Sequence, residues 1–265
     1  MALGGLSLWK RTERVRIVVA VLVMLCVFWE GVVRVFDVPP FLFPSFTAVL
    51  EDLAGNPGWF AMHAGYTLAA TLAGFALAVV FGLIVAVGIV YSRILEYTLY
   101  TSLVASNAIP KVAIAPLFII WIGTELESKI AIALTIAIFP IVIDTVLGLR
   151  SVDPAALDLA KALRGSQLQI LRKIRFPNAL PSIFAGMKVG ISLALIGTIV
   201  GEFVGSSKGL GFVIIQAQGQ FEIARQFASI ALLAVLGTIL FYLVELGERL
   251  CVPWHVSQRG GGRSH

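Results

Sequence analysis

Long apolar segments recur along the chain and predict transmembrane helices. A helix that crosses the hydrocarbon core of a bilayer needs about 20 mostly apolar residues. Six segments meet this condition, at about Ile17 to Phe36, Ala64 to Tyr91, Tyr97 to Ile122, Lys129 to Leu149, Ile183 to Phe203 and Phe227 to Leu246. The third contains Pro110 and Pro116, which predict a kink or a local unwinding. The pattern indicates an all-α polytopic membrane protein.

The composition agrees with this interpretation. Of the 265 residues, 58% are hydrophobic and only 13% are charged, which is more apolar surface than one soluble core would absorb. The chain leaves no room for a soluble second domain. Between the first two spans, the segment from Pro40 to Asn56 predicts a short helix outside the membrane, with Ser45 as its N-cap.

Basic residues concentrate on one side of the predicted membrane. They flank the first span, follow the second and the last, and surround the segment between the fourth and fifth, at Lys10, Arg11, Arg14, Arg16, Arg93, Arg150, Lys161, Arg164, Arg172, Lys173, Arg175, Arg249, Arg259 and Arg263. The opposite loops carry only Lys129, Lys208 and Arg225. Because cytoplasmic loops are enriched in Lys and Arg, we expect both termini to be cytoplasmic. The net charge of +5 therefore requires no nucleic acid as a partner.

The segment from Asp153 to Pro181 is polar and carries the signals of two short helices joined by a turn. Asp153 suits an N-cap, and Pro154 suits the first position of a helix. Gly165 is suited to the left-handed conformation that ends a helix, and Ser166 is suited to cap the next one.

The second short helix has Leu168, Leu171 and Ile174 at a spacing of three, and we expect Pro177 and Pro181 to end it. The residues alone leave two interpretations of the whole segment. One is an amphipathic connector that lies on anionic lipid headgroups. The other is a compact basic structure that contacts a second protein.

The polar segment contains two short stretches at a fixed spacing, Asp158-Leu159-Ala160 and Ile174-x-Phe176-Pro177. This pattern resembles the cytoplasmic loop of the inner-membrane permease subunits of binding-protein-dependent ABC importers, which reads EAA, three residues, Gly, nine residues, I-x-L-P. Further segments resemble the nitrate, sulfonate, taurine and thiamine-precursor branch of that family, and they run from Ile109 to Gly123, Phe139 to Pro154, Phe184 to Gly205 and Lys208 to Ile214. The resemblance extends from about residue 39 to residue 250.

The chain departs from the family pattern at the turn. Arg164 stands where the family has its motif glycine, and Gly165 follows one position later; Asp158 replaces the usual Glu, and Leu159 the first Ala. If the turn needs a residue with positive φ, either Gly165 supplies it after a helix that is one residue longer, or Arg164 adopts an unfavourable left-handed conformation. We expect the first arrangement.

The resemblance implies a type I ABC importer permease fold of about six transmembrane helices with a cytoplasmic coupling-helix loop. Residues 1–16 would be a cytoplasmic N-terminal segment, 17–250 a single transmembrane domain with the coupling loop at about 151–181, and 251–265 a flexible cytoplasmic tail. The residues that the resemblance assigns to contact with the ATPase are Ala155, Asp158, Ala160, Lys161, Ala162, Arg164, Gly165, Ser166, Ile174 and Pro177.

The resemblance also implies partners: a second copy of the permease, two ABC ATPase subunits and a periplasmic or extracellular binding protein, assembled in the bacterial inner membrane. The chain has no G-x-x-x-x-G-K-[ST] motif, so ATP and Mg would be bound by the ATPase and this chain would carry no cofactor. It would transport a small solute of a class that the sequence does not identify.

Ionisable residues at membrane depth are candidates for function because they are unfavourable there. Lys111 either faces the translocation pathway or extends along its own stem to water. Glu202 is either a gate residue at the outer end of its span or a carboxylate at headgroup level. Asp144 and Lys188 lie in neighbouring spans, and an ion pair between them is expected.

Small residues recur every four positions on two predicted helices, and they let helix backbones approach closely in lipid. The rows consist of Gly74, Ala78, Gly82 and Ala86 on one helix and of Gly186, Gly190, Ala194 and Thr198 on another, with Gly197, Gly201 and Gly205 on an adjacent ridge. We expect the first row to pack within the subunit. The glycine ridges suit contacts within the subunit and contacts with a second copy equally.

Two other classes of function fit the sequence less well. A secondary transporter or channel acting alone predicts internal repeats, which are not evident, and leaves the capped polar segment unexplained. A membrane-embedded enzyme needs a catalytic motif, but the chain has neither HExxH nor GxSxG, and His63, His255 and His265 are placed by the pattern at ends and in loops. No metal site is expected from this spacing.

Overall fold

The computed structural model describes residues 3–102, 105 and 109–253, with side chains from Arg16 onward except at positions 18 and 22. Every regular element in these residues is helical, which confirms the predicted all-α class. The main helices are α1 (Leu3–Val35), α2 (Phe46–Gly55), α3 (Pro57–Tyr91), α4 (Ala115–Ile122), α5 (Leu126–Arg150), α6 (Pro154–Ala162), α7 (Gln167–Val204), α8 (Leu210–Gly219) and α9 (Ile223–Cys251). The predicted tail lies outside the described residues from position 254 onward.

Four helices of the described part are long and apolar enough to cross a membrane: α3, α5, α7 and α9. They contain the second, fourth, fifth and sixth predicted spans. Helix α1 runs through the first predicted span as far as Val35. A bilayer-spanning helix of about 20 residues is shorter than any of these five, so each has one or more turns that extend beyond the hydrocarbon.

The third predicted span is divided, as its two prolines indicate. Short helical turns cover Arg93–Leu95, Glu96–Tyr100 and Lys111–Ile114, and Pro110 between them has an extended backbone. Pro116 then lies in the first turn of α4, where its missing N–H has no helical partner to lose. The predicted break at Pro110 is confirmed, whereas residues 103, 104 and 106–108 of this span lie outside the described part.

The chain forms two compact units, of which one comprises residues 1–61 with 213–231. An aromatic cluster centred on Trp29 of α1 holds its described residues together. The indole Nε1 of Trp29 donates to the carbonyl oxygen of Pro44 at 3.0 Å, and its ring contacts those of Phe43, Phe46 and Phe227. These contacts fix the loop that leads into α2.

Helix α2 confirms the short helix predicted between the first two spans. Ser45 is its N-cap, since its Oγ accepts from the amide of Ala48 at 3.2 Å. Asp52 of α2 forms an ion pair with Arg225 at 3.1 Å. Glu30 and Arg34, one turn apart on α1, also pair, at 2.6 Å.

The second unit comprises residues 62–212 with 232–265, and its core is formed by α3, α5 and α7. Small side chains allow these helices to approach closely. A Cβ at Gly74 would lie 2.5 Å from the Cβ of Ala133, and one at Gly197 would lie 2.9 Å from the Cα of the same residue. The fully buried side chains at this contact are Ala78, Ala133, Ala137, Ile141 and Ala194. The glycine rows therefore pack within the subunit, which decides between the two interpretations of the ridges on α7.

Helix α7 contradicts the expectation that Pro177 and Pro181 end the second short helix. The helix continues through both prolines to Val204, after a π-helical turn at Leu171–Arg175. A π-turn widens the backbone directly before Pro177 and accommodates its ring. The apolar residues that follow belong to a span, where a helix is the only way to satisfy backbone groups, so one missing hydrogen bond at each proline is tolerated.

The expected ion pair between Asp144 and Lys188 is also wrong. Lys188 pairs with Glu248 of α9 instead. Asp144 faces the backbone of α7 at Gly186, where a Cβ would lie 2.9 Å from the Cβ of Asp144. Lys188 is two residues from Gly186 and so points to another side of the helix, because positions i and i+2 do not share a face.

Candidate functional site

The segment between α5 and α7 has a helix start that its sequence specifies directly. Asp153 precedes α6, and its Oδ1 accepts from the amide of Ala155 at 2.9 Å. Pro154 is the first residue of the helix. Since the first amides of a helix have no partner within it, this cap stabilises the start of α6, as predicted.

The end of α6 differs from the expectation. Arg164, not Gly165, has positive φ, at +56°. The amide of Arg164 donates to the carbonyl oxygen of Lys161 and that of Gly165 donates to the carbonyl oxygen of Ala160, both at 2.9 Å. These two bonds form a Schellman motif with Arg164 at its left-handed position. The helix is not lengthened by one residue, so the left-handed position stays where the family has its glycine.

Gly165 is required for a different reason. A Cβ at this position would lie 2.9 Å from the carbonyl oxygen of Ala160, which is the acceptor of the Gly165 amide. The turn therefore uses Gly165 for close approach of two backbone segments, and it imposes on Arg164 a conformation that costs about 1–2 kcal/mol for an L-residue. Both positions are constrained by the backbone rather than by their side chains.

The helix that follows is capped at once. Ser166 Oγ accepts from the amide of Gln169 at 3.3 Å, and Gln169 Oε1 accepts from the amide of Ser166 at 2.8 Å. This reciprocal pair is a capping box. The turn between α6 and α7 is thus closed by the Schellman motif on one side and, on the other, by the N-cap that the position of Ser166 predicted.

Arg175 fastens the segment to the ends of two other helices. Its Nη1 donates to the carbonyl oxygen of Leu149 in the last turn of α5 at 3.0 Å, and its guanidinium lies 5.7 Å from the ring centre of Tyr91 at the end of α3. Tyr91 in turn donates its hydroxyl hydrogen to the carbonyl oxygen of Gln167 at 3.4 Å. This role could not be predicted from the sequence, because Arg175 stands in a run of basic residues that is typical of a solvated surface.

Two further polar contacts lie beside Arg175. Asn178 Nδ2 donates to Ser151 Oγ at 2.9 Å, and Arg150 forms an ion pair with Glu96 at 2.9 Å. The bonds of Arg175 and Asn178 hold the segment to the end of α5, and the pair of Arg150 with Glu96 joins that end to the turn after α3. The segment is therefore held at defined positions.

The outer face of the segment is both charged and apolar. Leu159, Leu163 and Leu168 are 63%, 76% and 63% exposed. Lys161 and Asp158 are also exposed and form an ion pair at 3.0 Å. The predicted contact residues divide into an exposed group, Ala155, Asp158, Lys161, Ala162, Arg164 and Ser166, and a half-buried group, Ala160, Gly165, Ile174 and Pro177.

Glu202, the candidate gate residue, is buried within the protein. Its side chain is only 1% exposed and lies among α3, α7 and the first turn of α8. Oε1 accepts from the hydroxyl of Thr67 at 2.8 Å, and Oε2 accepts from the amide of Gly211 at 2.7 Å. Both oxygens of the carboxylate are thus engaged by buried donors.

His63 and Lys129 are likewise buried, although the sequence pattern placed both in loops. Helix α3 begins at Pro57 and α5 at Leu126, earlier than the apolar pattern indicates. His63 therefore lies within α3, and Lys129 lies within α5. Lys129 is fully buried and donates from Nζ to the carbonyl oxygens of Thr124 and, at 2.6 Å, of Gly205. The bond from Lys129 to Gly205 joins residues that are distant in the chain, so a local sequence pattern does not predict it.

Lys111, the other candidate pathway residue, is half-buried at the break before α4. Its ammonium group lies 5.2 Å from the ring centre of Phe139 on α5, a cation–π contact. Within the residues that the structure covers, no carboxylate forms an ion pair with it. In the same residues no three His, Cys, Asp or Glu side chains lie together as metal ligands would.

Comparisons with known proteins agree with this geometry. Residues 78–250 match the family model described as the binding-protein-dependent transport system inner membrane component. The riboflavin transport system permease protein RibX of Chloroflexus aurantiacus is 39% identical over 89% of this chain and 89% of its own length. The formylaminopyrimidine transport permease protein ThiX of Halalkalibacterium halodurans is 32% identical over 89% of this chain and 94% of its own.

A solved structure supports the fold. A chain of the MetNI methionine ABC transporter in an inward-facing conformation superposes with a TM-score of 0.62 at 21% identity, covering 71% of this chain and 94% of that one. At this identity the likeness concerns the fold, which is that of a type I ABC importer permease. The family match covers well over half of the chain, and it agrees with the relatives and with the helical architecture. The chain therefore belongs to the family of inner-membrane permease subunits of binding-protein-dependent ABC transporters.

Proposed function

We propose that two copies of this chain form the translocation pathway of an ATP-driven importer, and that the segment from Pro154 to Ile174 docks into a separate ABC ATPase subunit. The observation that carries this proposal is the form of the segment. It contains a short helix, α6, that is capped at both ends, and Arg175 fastens it to the ends of α3 and α5. Three exposed leucines lie along it, one within α6, one directly after α6 and one in the first turn of α7. Exposed apolar side chains on a rigid helix suit a groove in a protein partner.

Coupling requires that ATP binds better to one arrangement of the assembly than to another. Closure of the ATPase dimer would draw the two docked segments together. Because each segment is pinned to the ends of α3 and α5, this displacement passes to the spans and opens the pathway to the opposite side. Hydrolysis of ATP then lets the segments separate. A flexible segment would absorb the displacement, so the caps and the Arg175 contacts are needed for transmission.

Orientation and the remaining partners follow from the same proposal. The basic residues around 150–175 place the segment on the cytoplasmic side, with both termini. A binding protein on the other side delivers the solute. The relatives carry names for riboflavin, formylaminopyrimidine, aliphatic sulfonates and taurine, so the family takes small polar solutes and the binding protein selects among them. The shift in melting temperature of the cognate binding protein with each of these compounds identifies the solute.

Copurification tests the docking. The chain is coexpressed with the candidate ATPase, and a tag on one subunit recovers both. Leu159→Asp places a charge on the exposed face of α6, away from the residues at its two caps, and we expect at least tenfold less ATPase in the eluate. Phe41→Asp is the matched control, because Phe41 is similarly exposed, at 59%, and lies in the loop before α2. Equal loss of ATPase in both variants, or in neither, would contradict the docking role of α6.

Loss of coupling between ATP hydrolysis and solute uptake tests whether the segment acts as a lever, that is, whether it transmits the movement of the ATPase to the transmembrane helices. Gly165→Pro removes the amide that donates to the carbonyl oxygen of Ala160. It also places a ring at a position where even an added Cβ would lie only 2.9 Å from that oxygen. We expect ATP hydrolysis to continue while uptake into proteoliposomes falls at least tenfold. Lys161→Glu breaks the exposed ion pair with Asp158 and should lower uptake in the same direction by less. Wild-type uptake in both variants would argue against the lever, and uptake without ATP would favour a carrier that acts alone.

A further inference from the structure

The first turn of α8 is capped by side chains from two other helices. The first amides of a helix have no acceptor within it. Here the amide of Gly209 donates to Nδ1 of His63 at 3.0 Å, and the amide of Leu210 donates to Oγ1 of Thr67 at 2.9 Å. The amide of Gly211 donates to Glu202 at 2.7 Å. Three consecutive buried donors are thus satisfied by His63 and Thr67 of α3 and Glu202 of α7.

The backbone comes closer to Glu202 than any side chain would permit. Gly209 has φ of +104°, and a Cβ there would lie 2.2 Å from the carboxyl carbon of Glu202. A Cβ at Gly211 would lie 2.8 Å from Oε2 of the same residue. Two glycines in the sequence Gly209-Leu210-Gly211 are therefore needed for the carboxylate to reach the helix start.

The turn that precedes α8 is held from its other end by Lys129. Its Nζ donates to the carbonyl oxygen of Gly205, the residue directly after α7. Lys129 thus places a positive charge at the C-terminal end of α7, and Glu202 places a carboxylate at the N-terminal end of α8. Each charge complements the helix dipole beside it. The turn 205–209 is fixed between these two buried groups, and only Ser207 and Lys208 within it are fully exposed.

We propose that Thr67 and Glu202 are positioning residues that fix the first turn of α8 to α3 and α7 during transport. Thr67 is the centre of this arrangement, because its hydroxyl both donates to Glu202 and accepts from Leu210. These segments lie at the end of α7 opposite the coupling segment. They move as one body when the pathway changes its direction of opening, since separating them would leave buried polar groups without partners. The transport part of this inference rests on the proposed function, whereas the capping part does not.

Hydrogen exchange at single residues tests the cap in the purified permease. Thr67→Val preserves the shape of the side chain and removes the hydroxyl, and we expect exchange of the Leu210 amide to be at least tenfold faster. Thr67→Ser keeps a hydroxyl and should restore the wild-type rate. His63→Phe keeps a ring against Phe212, with which His63 stacks at 6.0 Å, and removes the acceptor of Gly209. Its effect should be confined to the Gly209 amide.

Thr71→Val is the matched control. The hydroxyl of Thr71 lies one turn from Thr67 on α3 and forms a hydrogen bond with Thr198 of α7 at 3.1 Å, so it joins the same two helices without contacting α8. Its loss should leave exchange at 209–211 unchanged. Unchanged exchange in both Thr67→Val and His63→Phe, or an equal increase in Thr71→Val, would overturn the cap.

The positioning role is tested in proteoliposomes with the ATPase and the binding protein. We expect Thr67→Val to lower solute uptake per ATP hydrolysed at least fivefold, with Thr67→Ser and Thr71→Val close to wild type and with unchanged copurification of the ATPase. Faster amide exchange together with wild-type coupling would overturn the positioning role. If the wild-type chain retained no ATPase, the proposed function would fail, and the exchange rates would still decide whether the cap exists.

Discussion

The two ends of helix α7 are built in opposite ways. At its start, the turn after α6 is closed by hydrogen bonds between residues three to five positions apart, and the side chains of Arg164 and Ser166 there are exposed. At its other end, Glu202 is buried and bonds to Thr67, which is 135 positions away. The first region is determined by local sequence and presents an exposed surface. The second is determined by tertiary packing and presents almost none. Under the proposed function, the segment that transmits movement needs local hydrogen bonds and an exposed surface. The contact of α8 with α3 and α7, which must stay closed, needs buried long-range hydrogen bonds.

The largest effect is expected where the buried end is most crowded. Gly209→Ala introduces a Cβ at 2.2 Å from Glu202 Cδ on a residue with φ of +104°, so we expect a loss of about 3 kcal/mol or more in the free energy of unfolding. Thermal unfolding in detergent measures it. Gly219→Ala, where a Cβ meets no atom within 4 Å, should change the stability by less than about 0.5 kcal/mol. Similar losses in the two variants would contradict the crowding around Glu202 at the buried end of α7.

A smaller effect of opposite sign is expected at the exposed end. Arg164→Gly relieves a left-handed conformation and should stabilise the protein by about 1 kcal/mol. Arg172→Gly provides the comparison, because it places glycine within a helical turn and should destabilise by about 1 kcal/mol. Thermal unfolding of both variants gives the two signs. Destabilisation by Arg164→Gly would mean that the arginine side chain contributes more than its backbone strain removes.

An effect of similar size is expected at the start of α6. Asp153→Ala removes the acceptor of the Ala155 amide and should cost about 1 kcal/mol, whereas Asp153→Ser should retain most of the stability. Because this cap is exposed and local, we expect increased hydrogen exchange in the first turn of α6 alone. An increase that reached residues 209–211 would show that the two ends of α7 are not built independently.

The sequence predicted what depends on neighbouring residues. Asp153, Ser166 and the break at Pro110 were correctly identified because a cap or a proline acts within about four positions. The left-handed residue was assigned wrongly to Gly165 because a difference of one residue in helix length changes which position carries it. The family resemblance had in fact placed the motif glycine at position 164, where the positive φ occurs.

Contacts between residues far apart in the chain could not be predicted from the local sequence pattern. Nothing local distinguishes Glu248 from Asp144 as the partner of Lys188, since the choice depends on which side of α7 faces each helix. His63 and Lys129 were placed in loops because polar residues at the ends of apolar runs are normally solvated. Their burial depends on carbonyl and amide groups of another segment, which become neighbours only after α3, α5 and α7 have packed.

The π-helical turn at Leu171–Arg175 makes α7 tolerant of the loss of one residue within that turn. Such a turn contains one more residue than an α-helical turn, so removing a residue inside it leaves the flanking helices in register. Removing a residue farther along α7 would instead rotate everything before it by about 100° and shift it by about 1.5 Å. Arg175 would then no longer reach the end of α5. The π-helical turn therefore determines how the exposed leucines are oriented relative to the transmembrane helices.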